Sequence, residues 1–109
     1  MSRTTVVLLM ALAALLEAGG DALIRLGLRA AGFSAFALMG AGAVALFLYG
    51  YAVNSPPWEF GRLLGIYVML FFLTAQLLSW LVFKQAPAPA VLVGGALIVS
   101  GGAVMAVWK

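Results

Sequence analysis

Polar and apolar positions alternate on a coarse scale, with four long apolar stretches separated by three short breaks. The first stretch runs from Thr4 to Leu28 and closes at Arg29 with a short Ala-Ala-Gly link. The others run over about 33–53, 60–83 and 90–108. Between the second and third lies Asn54-Ser55-Pro56-Pro57-Trp58-Glu59, where the proline pair cannot continue a helix. Lys84, Gln85 and an Ala-Pro-Ala-Pro run to Pro89 separate the third from the fourth. At about 1.5 Å per residue, residues 4–28 rise roughly 37 Å, enough to cross a hydrocarbon core of about 30 Å with some tilt. The pattern predicts an all-α integral membrane protein: one domain of four transmembrane helices with short loops. Neighbouring helices are then antiparallel and both termini share one side.

Composition agrees. The chain is 66% hydrophobic and 8% charged, against about 25% charged in a soluble domain. The first stretch is too long for a signal-peptide core, and charged residues stand where a cleavage site is expected. No Cys and no His are present, so disulfides, thiolate chemistry and the usual transition-metal sites drop out. No enzyme activity, metal or cofactor is expected. The net charge of +3 is scattered between segments, which gives nucleic-acid binding no support.

The candidate chemistry sits on the first helix. Glu17, Asp21 and Arg25 are spaced by four, so they form one slowly twisting stripe. Glu17 falls near the middle of the bilayer, where a carboxylate costs several kcal/mol on insertion scales and is seldom kept without a use. It reads as a proton- and cation-binding group, with Ala13 and Ala14 leaving space one turn back. The bland alternative is a protonated Glu serving as interhelical glue. Arg25 can pair with Asp21 in the favourable order of acid before base, leaving Glu17 as the unpaired acid. Alternatively, Asp21 adds a second carboxylate to the cation site.

On the third helix, Tyr67, Phe71, Thr74 and Leu78 share a face, while Gln76 and Trp80 share another with Leu73. An aromatic face beside a carboxylate suits an organic cation. Tyr67 is the best single candidate, with Gly65 giving backbone room. Tyr49 and Tyr51 read as interfacial belt residues, as do Trp58 and the pair Trp108-Lys109. On the fourth helix Gly94-Gly95 and Gly101-Gly102 lie seven residues apart on one stripe. Such small residues admit a close helix contact, either within the chain or, as favoured here, between subunits.

Basic residues divide evenly: Arg3, Arg62 and Lys109 on the terminal side, Arg25, Arg29 and Lys84 on the other. The positive-inside rule then sets no orientation. Small counts tie by chance, or the chain inserts both ways and pairs with an inverted copy, the symmetry transporters use around a midplane site.

With these features the chain resembles the small multidrug resistance family of the drug/metabolite transporter superfamily. The likeness covers its whole length: four helices, a midspan Glu in the first, a basic residue eight positions on, heptad-spaced glycines in the fourth, and Leu77-Leu78-Ser79-Trp80 running to Phe83 and Gln85. Gly61-Arg62, Tyr67 and Thr74-Ala75 look more like its YnfA-type branch. Leu70 stands where the family has a Trp three residues after the Tyr, and the common exporters lack an acid at the position of Asp21. The resemblance implies an antiparallel homodimer that exchanges protons for small organic cations on the Glu17 of both subunits, in a bacterial-type inner membrane. The partners expected are protons, a small cationic substrate, membrane lipid and a second copy or a heteromeric subunit. The alternatives are a lipid-linked substrate flippase subunit and a non-transporting accessory membrane protein.

Overall fold

A computed structural model describes residues 1–108; the cation expected at Lys109 lies outside the described residues. Four helices follow in chain order: α1 (Arg3–Leu28), α2 (Gly32–Val53), α3 (Phe60–Phe83) and α4 (Pro89–Val107). All four are long and apolar enough to cross a membrane. The described residues contain no strand.

Local chemistry explains the ends. The Ser2 hydroxyl accepts from the Thr5 backbone N–H at 3.1 Å and caps α1. Gly32 opens α2 at φ +64°, a left-handed conformation that glycine adopts without strain. At the far end of α2 the Asn54 amide donates to Gly50 O at 2.8 Å and the Ser55 hydroxyl to Tyr51 O at 2.7 Å. The Asn54 N–H also reaches Gly50 O, and the Ser55 N–H turns back to Ala52 O, both at 3.3 Å, so side chain and backbone together satisfy carbonyls of the last turn. Lys84, at φ 56°, turns the chain out of α3, and the Gln85 N–H closes on Ser79 O at 3.0 Å. Pro89 sits at the first turn of α4, where its missing N–H costs nothing.

The helices pack mainly as α1 on α2, α1 on α3 and α3 on α4. The result is a slab of 51 × 34 × 19 Å. Its thinnest dimension equals about two helix diameters, so the chain does not close a barrel of helices around a pathway. Its outer faces carry Phe33, Phe36, Phe47, Leu97 and many other exposed apolar side chains, as a lipid-facing surface must.

The buried cluster joins three helices: Val6, Met10, Ala13 and Ala14 of α1, Ala52 and Val53 of α2, and Leu63, Ile66 and Tyr67 of α3. Ala13 and Ala14 are fully buried here. They do not leave space beside Glu17, as the sequence suggested. Their small side chains let the helices close up.

The α4 glycines divide between two faces. A Cβ on Gly102 would lie 2.6 Å from Met69 Cβ, and one on Gly95 would lie 2.6 Å from the Phe72 ring. Both therefore face α3 of the same chain, which corrects the expectation that all four serve a subunit contact. Gly94 and Gly101 face open space. Adjacent residues on a helix point about 100° apart, so one glycine of each pair can pack inside while the other stays out. Gly65 likewise seats Met105 of α4; its service is to α4, and not to the room around Tyr67.

Candidate functional site

The site is built where α3 crosses α1 just beyond the buried cluster. Tyr67 is 3% exposed, and its hydroxyl donates to Glu17 Oε1 at 2.8 Å. Glu17 is half-buried. A tyrosine held by packing thus presents its one polar atom to a carboxyl that lies about 21 Å along α1 from Arg3, at 1.5 Å per residue. The Tyr67 ring stacks with two aromatic neighbours. Tyr49 of α2 stacks at 5.6 Å between centroids and 30° between planes. Phe71 stacks at 6.3 Å and 29°. Three aromatic rings therefore line up beside Glu17. A carboxylate beside an aromatic cluster favours a cation.

Tyr49 joins the site although its position in the sequence does not mark it. Its position near the end of α2 suggested an interfacial belt, but α2 leans on α1 so that Tyr49 meets Tyr67. Only the α1–α2 register brings them together, and hydropathy is blind to register. Tyr51, 75% exposed, does face outward. On α3, the Thr74 hydroxyl turns back onto Leu70 O at 2.9 Å, and Trp80 is 59% exposed; neither joins the site.

Asp21 and Arg25 continue the α1 stripe but do not close the expected ion pair. The Arg25 guanidinium lies over the Phe83 ring of α3, 5.2 Å from its centroid. This cation–π contact competes with the bond to Asp21. Both residues are exposed and line a cleft of about 230 Å³ between α1 and α3. The cleft extends away from Glu17 to Ser79 and Gln85 at the end of α3.

Residues 2–109 match the family described as "Uncharacterised BCR, YnfA/UPF0060 family". The chain belongs to the YnfA/UPF0060 family. A relative from Herpetosiphon aurantiacus, described as "UPF0060 membrane protein", is 33% identical over 104 residues, covering 94% of this chain and 93% of its own length. No solved structure matches. The family description says nothing of substrate. The relative's description names a membrane protein, and the four helices of this chain are long and apolar enough to cross a membrane.

Proposed function

We propose that the chain is a proton-coupled antiporter that exports small organic cations by alternating access. The observation that supports this most directly is the Tyr67 hydroxyl bonded to a half-buried midspan Glu17, with Tyr49 and Phe71 stacked alongside. The mechanism is competition for one carboxyl. A cation displaces the proton from Glu17 on one side of the membrane, and a proton displaces the cation on the other. Tyr67 donates to the carboxylate in the cation-loaded state and holds its orientation.

A second, inverted copy is part of the proposal. The slab leaves Asp21 exposed and Glu17 half-covered at depths where lipid would meet them, and charge facing hydrocarbon is costly. A facing copy covers both and brings two Glu17 side chains to one chamber. A partner chain of the same type would serve equally. A multi-pass helical protein belongs in a bacterial-type inner membrane, since outer membranes are spanned by barrels.

The test is proton release from purified protein in weakly buffered detergent on adding quaternary ammonium, guanidinium and polyamine cations. Wild type is expected to release protons with at least one class, and Glu17→Gln with none. Because the proton competes, cation affinity should fall by up to about tenfold per unit of falling pH once the carboxyl protonates. Affinity independent of pH, or full proton release from Glu17→Gln, would sink the reading.

A further inference from the structure

The cleft between α1 and α3 shares Phe71 with the Glu17 site but not Glu17, Tyr67 or Tyr49, and its chemistry differs. A site for a lone cation would carry acid without base. This cleft carries Asp21 and Arg25 on one helical face, one turn apart, with about 6 Å of axial rise between them. The two could neutralise each other at that spacing. Instead Arg25 lies over Phe83, and both charges are left facing the same space.

The rest of the lining is graded in the same way. Phe71 offers a π face, where an ammonium is welcome. At the Arg25 end, Ser79 and Gln85 add hydrogen-bond donors. The Ser79 hydroxyl makes only long bonds there, 3.3 Å to Gln85 O and 3.5 Å to Gln85 Oε1. Bonds of that length are easily exchanged for one to an anionic oxygen. Ala18, Ala22 and Ala75 keep the floor open. The volume of about 230 Å³ falls below the range of pockets that hold drug-sized molecules, roughly 300–1,000 Å³, and suits a headgroup-sized ligand.

We propose that this cleft is a second binding site, separate from Glu17, for a small zwitterion whose ammonium sits on Asp21 and whose anionic group sits on Arg25, Ser79 and Gln85. A simple cation meets Arg25 as a repelling neighbour, and a simple anion meets Asp21. A dipolar ligand satisfies both in one pose. An amino-alkyl phosphodiester has this form, and it comes either as the ethanolamine headgroup of a membrane phospholipid or as a free soluble molecule. The proposal does not depend on proton exchange at Glu17.

The experiment is calorimetric titration of the full chain in detergent with glycerophosphoethanolamine, with ethanolamine and glycerol phosphate as single-charge controls. The zwitterion should bind at least about tenfold more tightly than either control, and Asp21→Asn and Arg25→Gln should each weaken it by at least about tenfold. Glu17→Gln, which should end proton exchange, should leave this binding in place, so failure of one site is told from failure of the other. The charge swap Asp21→Arg with Arg25→Asp should bind again with the ligand reversed, a rescue that a merely structural ion pair would not produce. Native mass spectrometry of protein extracted with phosphatidylethanolamine supplies the second arm. Lipid retained by wild type and lost in Asp21→Asn assigns the site to a membrane lipid, and binding of the soluble compound alone assigns it to a free zwitterion. Ethanolamine binding as tightly as the zwitterion with Arg25→Gln indifferent, or no binding in either arm, would overturn the proposal.

Discussion

At the scale of single residues, the pair that matters is Tyr67 and Glu17. Tyr67→Phe removes the hydroxyl that donates to Glu17 at 2.8 Å and keeps the ring that stacks with Tyr49 and with Phe71. A hydrogen bond to a charged acceptor contributes about 1.5–3 kcal/mol, so cation binding should weaken by roughly tenfold to a hundredfold. Thermal stability should stay near wild type, because the buried ring remains. Isothermal titration beside a melting curve separates the two effects; unchanged affinity would mean the bond belongs only to the empty state. Glu17 was legible in the sequence because a charge in an apolar run has no bland explanation of equal weight. Tyr67 was legible as one of several aromatics on α3. Tyr49 was not, since a tyrosine near a helix end looks the same whether it faces headgroups or a neighbouring ring. The fate of Arg25 was also hidden. Its i+4 partner is visible in the sequence, and its competitor Phe83 becomes visible only when α3 is laid against α1.

At the scale of helices, contact runs through glycine. Gly20 and Gly42 face each other across α1 and α2, and a Cβ on Gly42 would lie 2.8 Å from Gly20 O and 2.7 Å from Ile24 Cγ1. Backbone cannot give way as a side-chain tip can, so Gly42→Ala should push the two helices apart. Gly102→Ala meets Met69 Cβ, an atom fixed to its own backbone, whereas Gly95→Ala meets the edge of the Phe72 ring, which can swing. The expected order of damage is Gly42→Ala and Gly102→Ala at about 1–3 kcal/mol, with Gly95→Ala smaller. Gly94→Ala and Gly101→Ala should leave the fold unharmed, since nothing stands within 4 Å of either added carbon. Melting temperatures in one detergent check the order; equal loss at Gly101 and Gly102 would refute the assignment of faces. If the outer pair also seats a second copy, Gly94→Leu with Gly101→Leu should lower the dimer fraction in a crosslinking assay while each chain still folds. The sequence announced the glycine stripe at its heptad spacing. It could not divide the stripe, because two adjacent glycines carry no mark of which one meets α3.

At the scale of the whole molecule, the governing facts are a thin slab and an undecided charge balance. Four apolar spans follow from hydropathy, and the structure has four helices long and apolar enough to cross a membrane. What the chain does next is a matter of orientation. Three basic residues on each side give the inserting chain no preference, and one more should decide it. Ala31 lies exposed in the α1–α2 link and Pro57 exposed in the α2–α3 loop, on opposite sides. Ala31→Lys should fix that link on the cytoplasmic side, and Pro57→Lys should fix the opposite orientation. Because the chain has no cysteine, a single reporter cysteine at Ser2 reads orientation cleanly by membrane-impermeant labelling. Ser2→Cys alone should label partially from the outside, one Lys variant in that background almost fully and the other hardly at all. If an inverted pair is the working unit, each variant alone should lose cation resistance in an export-deficient strain, and the two expressed together should regain it. Full activity of either variant alone would show that parallel or single chains transport, and the half-covered Glu17 would then need another partner to shield it from lipid.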